Sequence, residues 1–212
     1  MANGDSPTRF VYGPVPSRRL GRSLGVDLVP FKTCPYDCIY WQLGRTTDKT
    51  LRRAGYAPLD AVVAELEVRI ARHPNADFIG HAGSGEPTLH EGIGDLSGAI
   101  KRMTDIPVAV LTNGALLWMP EVRRALAGAD LVMPSLDAGG PDTFRRVNRP
   151  VDELDFEQMV EGLVAFTSGF RGRTWLEVFV LRGITDGPDE IDRIAALADR
   201  IRPEREIGRA HV

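Results

Sequence analysis

Two cysteines stand four residues apart in Cys34-Pro-Tyr-Asp-Cys38, and the next residues are Ile39, Tyr40 and Trp41. Thiolates are soft ligands suited to zinc or iron. On spacing alone the pair supports two readings. The cysteines can be small buried residues on one helix face. They can also be half of a zinc site completed by His73, His81, His90 or His211. Trp41 adds no ligand, because the indole nitrogen is a donor without a free lone pair. A second polar cluster reads Gly83-Ser84-Gly85-Glu86-Pro-Thr. Its glycines let a backbone approach a ligand closely, and its carboxylate can accept charge-assisted hydrogen bonds from an ammonium group.

The elements that must position these groups alternate. Short apolar runs at 24–30, 76–81, 107–111, 131–134 and 174–181 read as strands. Helical patterns fall at 58–73, 92–103, 120–127, 141–147, 155–168 and 188–201. In the first of these, Leu59, Val62, Val63, Leu66 and Ile70 share one face. Strand and helix in alternation imply a parallel sheet with right-handed crossovers, as an open Rossmann-like sheet or part of a β/α barrel. No Gly-x-Gly-x-x-Gly follows the first strand, which weakens a dinucleotide reading.

Each conspicuous polar motif follows a strand. The cysteine pair follows the first, Gly83–Glu86 the second, Thr112-Asn113-Gly114 the third, Ser135-Leu-Asp137 the fourth and Arg182-Gly-Ile-Thr-Asp186 the fifth. In β/α folds the C-terminal strand edge is where ligands bind. Asn113, Ser135 and Asp137 suit ribose hydroxyls, and are equally ordinary in turns and caps. Glu177 can point into a barrel or lie half-exposed on its strand.

The cysteine segment resembles the cluster loop of the radical S-adenosylmethionine (SAM) enzymes, Cys-x-x-x-Cys-x-x-Cys with an aromatic before the last cysteine. Tyr40 is that aromatic, and Trp41 stands at the third cysteine position. Gly83-Ser84-Gly85-Glu86 resembles the family's Gly-Gly-Glu motif. The stretch from Val11-Tyr-Gly-Pro-Val-Pro-Ser-Arg-Arg through the cysteine loop to Gln42-Leu-Gly-Arg is similar to a radical SAM Fe–S oxidoreductase subfamily, itself distantly similar to tRNA wyosine-forming enzymes.

The resemblance implies a partial (β/α)6 TIM-like barrel and two cofactors, a 4Fe–4S cluster and SAM. Three loop thiolates would hold three irons and SAM the fourth, and one electron would cleave SAM to start radical chemistry on a substrate. Cys34 and Cys38 would ligate iron, Glu86 would take the SAM ammonium and Tyr40 would pack on adenine. Gly83, Ser84, Gly85 and Asn113 would complete the cofactor site, and Ser135 and Asp137 would meet the ribose. A reductant such as flavodoxin or ferredoxin would be a partner. With Trp41 in place the loop is expected to hold the cluster poorly. The alternative is a cluster-less SAM-binding protein or a Cys-ligated zinc protein.

The chain has 212 residues, 43% of them hydrophobic and 26% charged, enough for one domain with a substantial core. No apolar run approaches a membrane span. The first nine residues lack an apolar secretory region, and two cysteines make no disulfide framework, so a reducing cytoplasm is expected. Residues 1–53 hold nine Lys/Arg against four Asp/Glu, a balance of +5. With −3 overall, the rest carries −8. Arg18, Arg19, Arg22, Lys32, Arg45, Lys49, Arg52 and Arg53 read as a basic face, either merely solvated or meeting an anionic substrate such as a nucleotide or RNA.

Residues 1–23 are expected as an N-terminal extension and 24–205 as the core domain. The heptapeptide Glu206-Ile-Gly-Arg-Ala-His-Val212 breaks the pattern where a sixth strand is due, with only Ile207 and Val212 fitting a β-branched run. It resembles the in-frame translation of a sequencing adapter. It is therefore expected to be a non-native tail, leaving the barrel truncated before its sixth strand and 175–181 as an unpaired edge.

Overall fold

The structure, a computed structural model of the chain, describes residues 10–211. The first nine residues and Val212, which belong to the signal and tail expectations, lie outside the described residues. The strands are β1 (Val11–Ser17), β2 (Gly21–Val26), the short β3 (Thr33–Cys34) and β4 (Asp48–Lys49), β5 (Phe78–His81), β6 (Val108–Thr112), β7 (Leu131–Pro134), β8 (Arg173–Leu181) and β9 (Arg205–His211). The helices are α1 (Leu59–Arg72), α2 (Ile93–Met103), α3 (Pro120–Leu126), α4 (Pro141–Val147), α5 (Phe156–Gly169) and α6 (Pro188–Ile201).

One sheet runs in the order β1-β2-β5-β6-β7-β8-β9. β1 pairs antiparallel with β2, and every later neighbour is parallel. The six parallel strands are those of a partial (β/α)6 barrel, left open between the two edge strands β1 and β9.

The period of two along each strand sorts side chains between two layers. On β6, Val108 and Val110 join the large core under the helices, while Ala109 and Leu111 face the inner layer. Val132 on β7 and Leu176 on β8 again face the helices, and Leu131, Met133 and Trp175 face inward. The tip of the β1–β2 hairpin adds Leu20 to that inner layer and so fills the bottom of the open barrel. Glu177 shares the inward parity of Trp175, which settles its two sequence readings.

Three expectations change. The first parallel strand spans Gly21–Val26 rather than 24–30. Leu28 and Val29 are buried in the core without a place in the ladder, so their hydrophobicity imitated a strand. The sheet also does not stop short of a sixth parallel strand. Residues 205–211 form it, pairing from Trp175↔Arg205 to Leu181↔His211. The expected open edge at 175–181 is therefore covered. Main-chain pairing at a sheet margin tolerates polar side chains, which the β-branched criterion overlooks.

Candidate functional site

The loops at the C-terminal strand edge enclose a cavity of about 370 Å³. Cys34, Cys38, Tyr40, Trp41, Gly83, Gly85, Glu86, Asn113, Ser135 and Glu177 all line it. Eight of the ten residues expected in the site thus converge. Two do not line it, and the reason is the same for both: each is spent on holding the rim together. The Ser84 amide and hydroxyl both donate to Asp27 Oδ2, at 2.9 and 2.6 Å. Asp137 is buried, with Oδ1 accepting from the Phe179 amide at 3.1 Å and Oδ2 accepting from the Tyr40 hydroxyl and from Asn148 Nδ2.

Glu86 is 3% exposed and is the hub of the rim. Its Oε1 accepts from the Thr88 amide at 3.1 Å and from the Thr88 and Thr112 hydroxyls, both at 2.6 Å. Its Oε2 accepts from the Asn113 amide at 2.7 Å. Burial raises the Glu86 pKa above its ordinary value, and these hydrogen bonds oppose the rise. Close packing explains the adjacent glycine: a Cβ on Gly85 would lie 2.4 Å from the Thr33 carbonyl oxygen and 2.5 Å from Val29 Cγ2.

Each cysteine sulfur has an asparagine amide as donor. Asn113 Nδ2 donates to Cys34 Sγ at 3.2 Å, and Asn148 Nδ2 to Cys38 Sγ at 3.5 Å. Burial first, then the Glu86 charge, push the Cys34 thiol well above its ordinary value. Burial first, then Asp137, push Cys38 up to about 12. Tyr40 stacks on Phe179, with ring centroids 4.3 Å apart and planes 17° from parallel. Its ring therefore has a protein partner in addition to the cavity.

The zinc completions by His81 and His90 are corrected. His81 is fully buried with Nε2 on Ser97 Oγ at 2.9 Å, and burial, then His90, lower its pKa to about 4. The His90 Nε2 meets the Ala57 carbonyl, and its Nδ1 accepts from the Gly92 amide. Among the described residues no group of three His, Cys, Asp or Glu side chains is arranged to hold a metal ion. The Arg182–Asp186 motif closes a turn instead of lining the cavity: Thr185 Oγ1 accepts from the Leu181 amide and Asp186 Oδ1 from the Gly183 amide.

Sequence reasoning missed Tyr12, Tyr36 and Asn148, and placed Arg19 only in a general basic face. Tyr12, Arg19 and Tyr36 line the cavity. Arg19 reaches in from the hairpin to Glu177 Oε1 at 2.5 Å. Asn148 caps the C-terminus of α4, a common place for asparagine that signals nothing about a site. Much of the basic run is structural. Arg22, Lys49 and Arg53 donate to the carbonyls of Asn75, Pro150 and Thr88, and Arg45 pairs with Asp37.

The sequence pattern of the Radical SAM superfamily matches residues 28–198, a span that contains both cysteines, the glycine-rich loop and Glu86. The chain belongs to the radical SAM superfamily. It is 48% identical over 198 residues to a protein named GTPase Obg from Brachyspira hyodysenteriae, covering 93% of this chain and 29% of that protein. It is 36% identical over 201 residues to a UPF0026 protein of Methanocaldococcus jannaschii, covering 92% and 61%. The chain thus spans less than two thirds of the length of these two relatives. Among solved structures, TYW1 with a lysine-pyruvate adduct bound matches with a TM-score of 0.66 at 18% identity, over 90% of this chain and 65% of that one. That likeness is one of fold. No helix among the described residues is long and apolar enough to cross a membrane.

Proposed function

We propose that this chain is the SAM-binding core of a radical SAM enzyme. The observation that carries the reading is the sharing of one cavity by Cys34, Cys38 and Glu86. Glu86 Oε2 has accepted one hydrogen bond and has capacity for another, which suits the methionine ammonium. Ser135 lies on the cavity wall as a ribose partner. Asn113 and Asp137 act on the protein side of the rim, one on Cys34 and the other on Tyr40.

The residues present do not fit a 4Fe–4S cluster held by three loop thiolates. Two thiols line the cavity, and the third position holds an indole that cannot ligate. Reductive SAM cleavage is accordingly proposed for the ancestral loop. Trp41 favours a second reading for the chain as written, SAM binding without the cluster. A zinc protein has less support, since His81 and His90 are tied elsewhere.

Anaerobic reconstitution with iron and sulfide tests the assignment. Trp41→Cys is expected to take up a brown, near-stoichiometric cluster and to cleave SAM, and the unmodified chain to do neither. Equal reconstitution of the two proteins defeats the reading of Trp41. SAM binding by the unmodified chain without iron supports the second reading. A reductant such as flavodoxin or ferredoxin, and an anionic substrate such as a nucleotide or RNA, belong to the same proposal. Arg18, Lys32 and Arg52 are the members of the basic run not yet assigned a structural contact and would be the ones to meet such a substrate, although Lys32 already lies over the Phe31 ring at 5.1 Å.

A further inference from the structure

The segment that follows β7 is stitched to the cysteine loop along its length. The Asp37 amide donates to the Asn148 carbonyl at 3.0 Å, the Ile39 amide to the Val147 carbonyl at 2.9 Å and the Val151 amide to the Pro35 carbonyl at 2.9 Å. Inside this seam lies one connected set of polar side chains. Asn148 is 3% exposed and uses its amide nitrogen twice, toward Cys38 Sγ at 3.5 Å and toward Asp137 Oδ2 at 3.0 Å. The same Asp137 oxygen accepts from the Tyr40 hydroxyl, and Asp137 Oδ1 accepts from the Phe179 amide on β8. The Tyr40 ring then lies flat on the Phe179 ring.

We propose that Asn148, Asp137 and Tyr40 form a latch that ties the second half of the cysteine loop to β8, and that Asn148 is a positioning residue for Cys38. The physical case rests on burial and on the number of donors. A buried carboxylate with three donors is costly to undo, because each donor removed leaves an unmet charge in a dry site. Both amide hydrogens of Asn148 are committed, one to the sulfur and one to the carboxylate, so the sulfur cannot shift without disturbing Asp137. Tyr40 cannot leave without losing both its hydroxyl partner and its stacking partner. Cys34 is held separately, by Asn113 Nδ2, with Asn113 Oδ1 fixed by the Ala115 amide at 2.9 Å. Within the loop itself Cys34 Sγ also accepts from the Tyr36 amide at 3.5 Å and Cys38 also meets the Tyr40 hydroxyl, but the holders reaching in from other elements differ, Asn113 of the β6 loop for Cys34 and Asn148 at the end of α4 for Cys38.

The functional meaning of the latch rests on the SAM-site reading, because it sets a sulfur and an aromatic wall of that cavity. Its geometry can be tested without SAM or iron, so the two proposals fail separately. The metal-free chain is treated with N-ethylmaleimide at fixed pH, and peptide mass spectrometry follows Cys34 and Cys38 individually. Tyr40→Phe keeps the stacking and loses only the hydroxyl; Asn148→Ala removes both amide donors. Each is expected to speed Cys38 labelling about tenfold or more while Cys34 changes less than about twofold. Asn113→Ala is expected to reverse the selectivity. Asn148→Gln keeps two amide donors and is expected to slow Cys38 again. An equal rise at both cysteines in Tyr40→Phe overturns the latch, as does no rise at all. A Gln variant as reactive as the Ala variant overturns the role given to the amide.

Discussion

Replacing Glu86 by glutamine removes one charge while keeping the shape, and the four hydrogen bonds to its carboxylate fix what must be lost. A glutamine has one acceptor oxygen and one donor nitrogen. If its oxygen takes the Oε1 place, its NH2 faces the Asn113 amide, now 2.7 Å from an acceptor, and two donors confront each other. If it is turned over, the Thr88 and Thr112 hydroxyls can rotate to accept, but the Thr88 amide at 3.1 Å loses its partner. Either way one buried backbone N–H is orphaned. At pH above the folded pKa of Glu86, where the acceptor is charged, loss of such a hydrogen bond costs about 1.5–3 kcal/mol. For a chain of this size that corresponds to a fall in Tm of roughly 3–12 °C.

The dependence on pH has a definite sign. Burial places the folded pKa of Glu86 above its ordinary value. Its stabilising contribution is then fully present below the unfolded pKa and declines as pH rises through the folded one. The cost of Glu86→Gln is therefore expected to be greater at mildly acidic pH than at pH 8. Thermal unfolding followed by circular dichroism at two pH values reads both quantities. A Tm within about 1 °C of the parent at both pH values shows that the hydrogen-bond hub contributes nothing, and refutes this account of the rim.

Other outcomes follow from named contacts. Gly85→Ala should destabilise by about 1–3 kcal/mol through overpacking against Thr33 and Val29, whereas Gly55→Ala, with nothing within 4 Å of the new Cβ, should stay within about 0.5 kcal/mol; equal melting curves for the two would contradict the packing argument. Labelling of Cys38 in the metal-free chain should remain slow through pH 9 and accelerate only toward about 12, and a midpoint near that of a free thiol would show the sulfur to be less buried than described. A chain ended at Glu204 loses the strand that covers Trp175–Leu181 and should aggregate on size-exclusion chromatography; unchanged solubility and Tm would show that β9 does not protect that edge.

The helices and the middle strands were legible because their apolar spacing serves one face. α1, α2 and α6 place buried residues every three to four positions, and β6 and β7 are buried on both faces and read as unbroken apolar runs. The hairpin strand β1 and the terminal β9 escaped notice. Four of the seven residues of β1 are exposed, and β9 is paired through its backbone with little apolar content. The location of the cavity was legible for a topological reason, since every motif followed a strand. The duties of individual side chains were not, because a short polar residue at a strand end serves a ligand or a neighbouring loop equally well, and only coordinates separate the two.

Three acidic residues show how far that second duty extends. Asp27, after β2, accepts the Ser84 amide of the β5 loop; Glu86, in the β5 loop, accepts the Asn113 amide of the β6 loop; Asp137, after β7, accepts the Phe179 amide of β8. Each carboxylate reaches from one strand end to another, so together they tie much of the rim of the open barrel. A barrel that does not close lacks the continuous ladder that would otherwise fix those strand ends, and charge-assisted bonds to backbone amides are a strong substitute. A rim fixed in this way is set before any ligand arrives, which lowers the ordering cost of binding. The same arrangement means that a mutation at Glu86 or Asp137 changes the rim and the ligand contact together. A drop in SAM affinity identifies Glu86 as a ligand only if it exceeds what the accompanying loss of stability accounts for, and that excess is the quantity to measure.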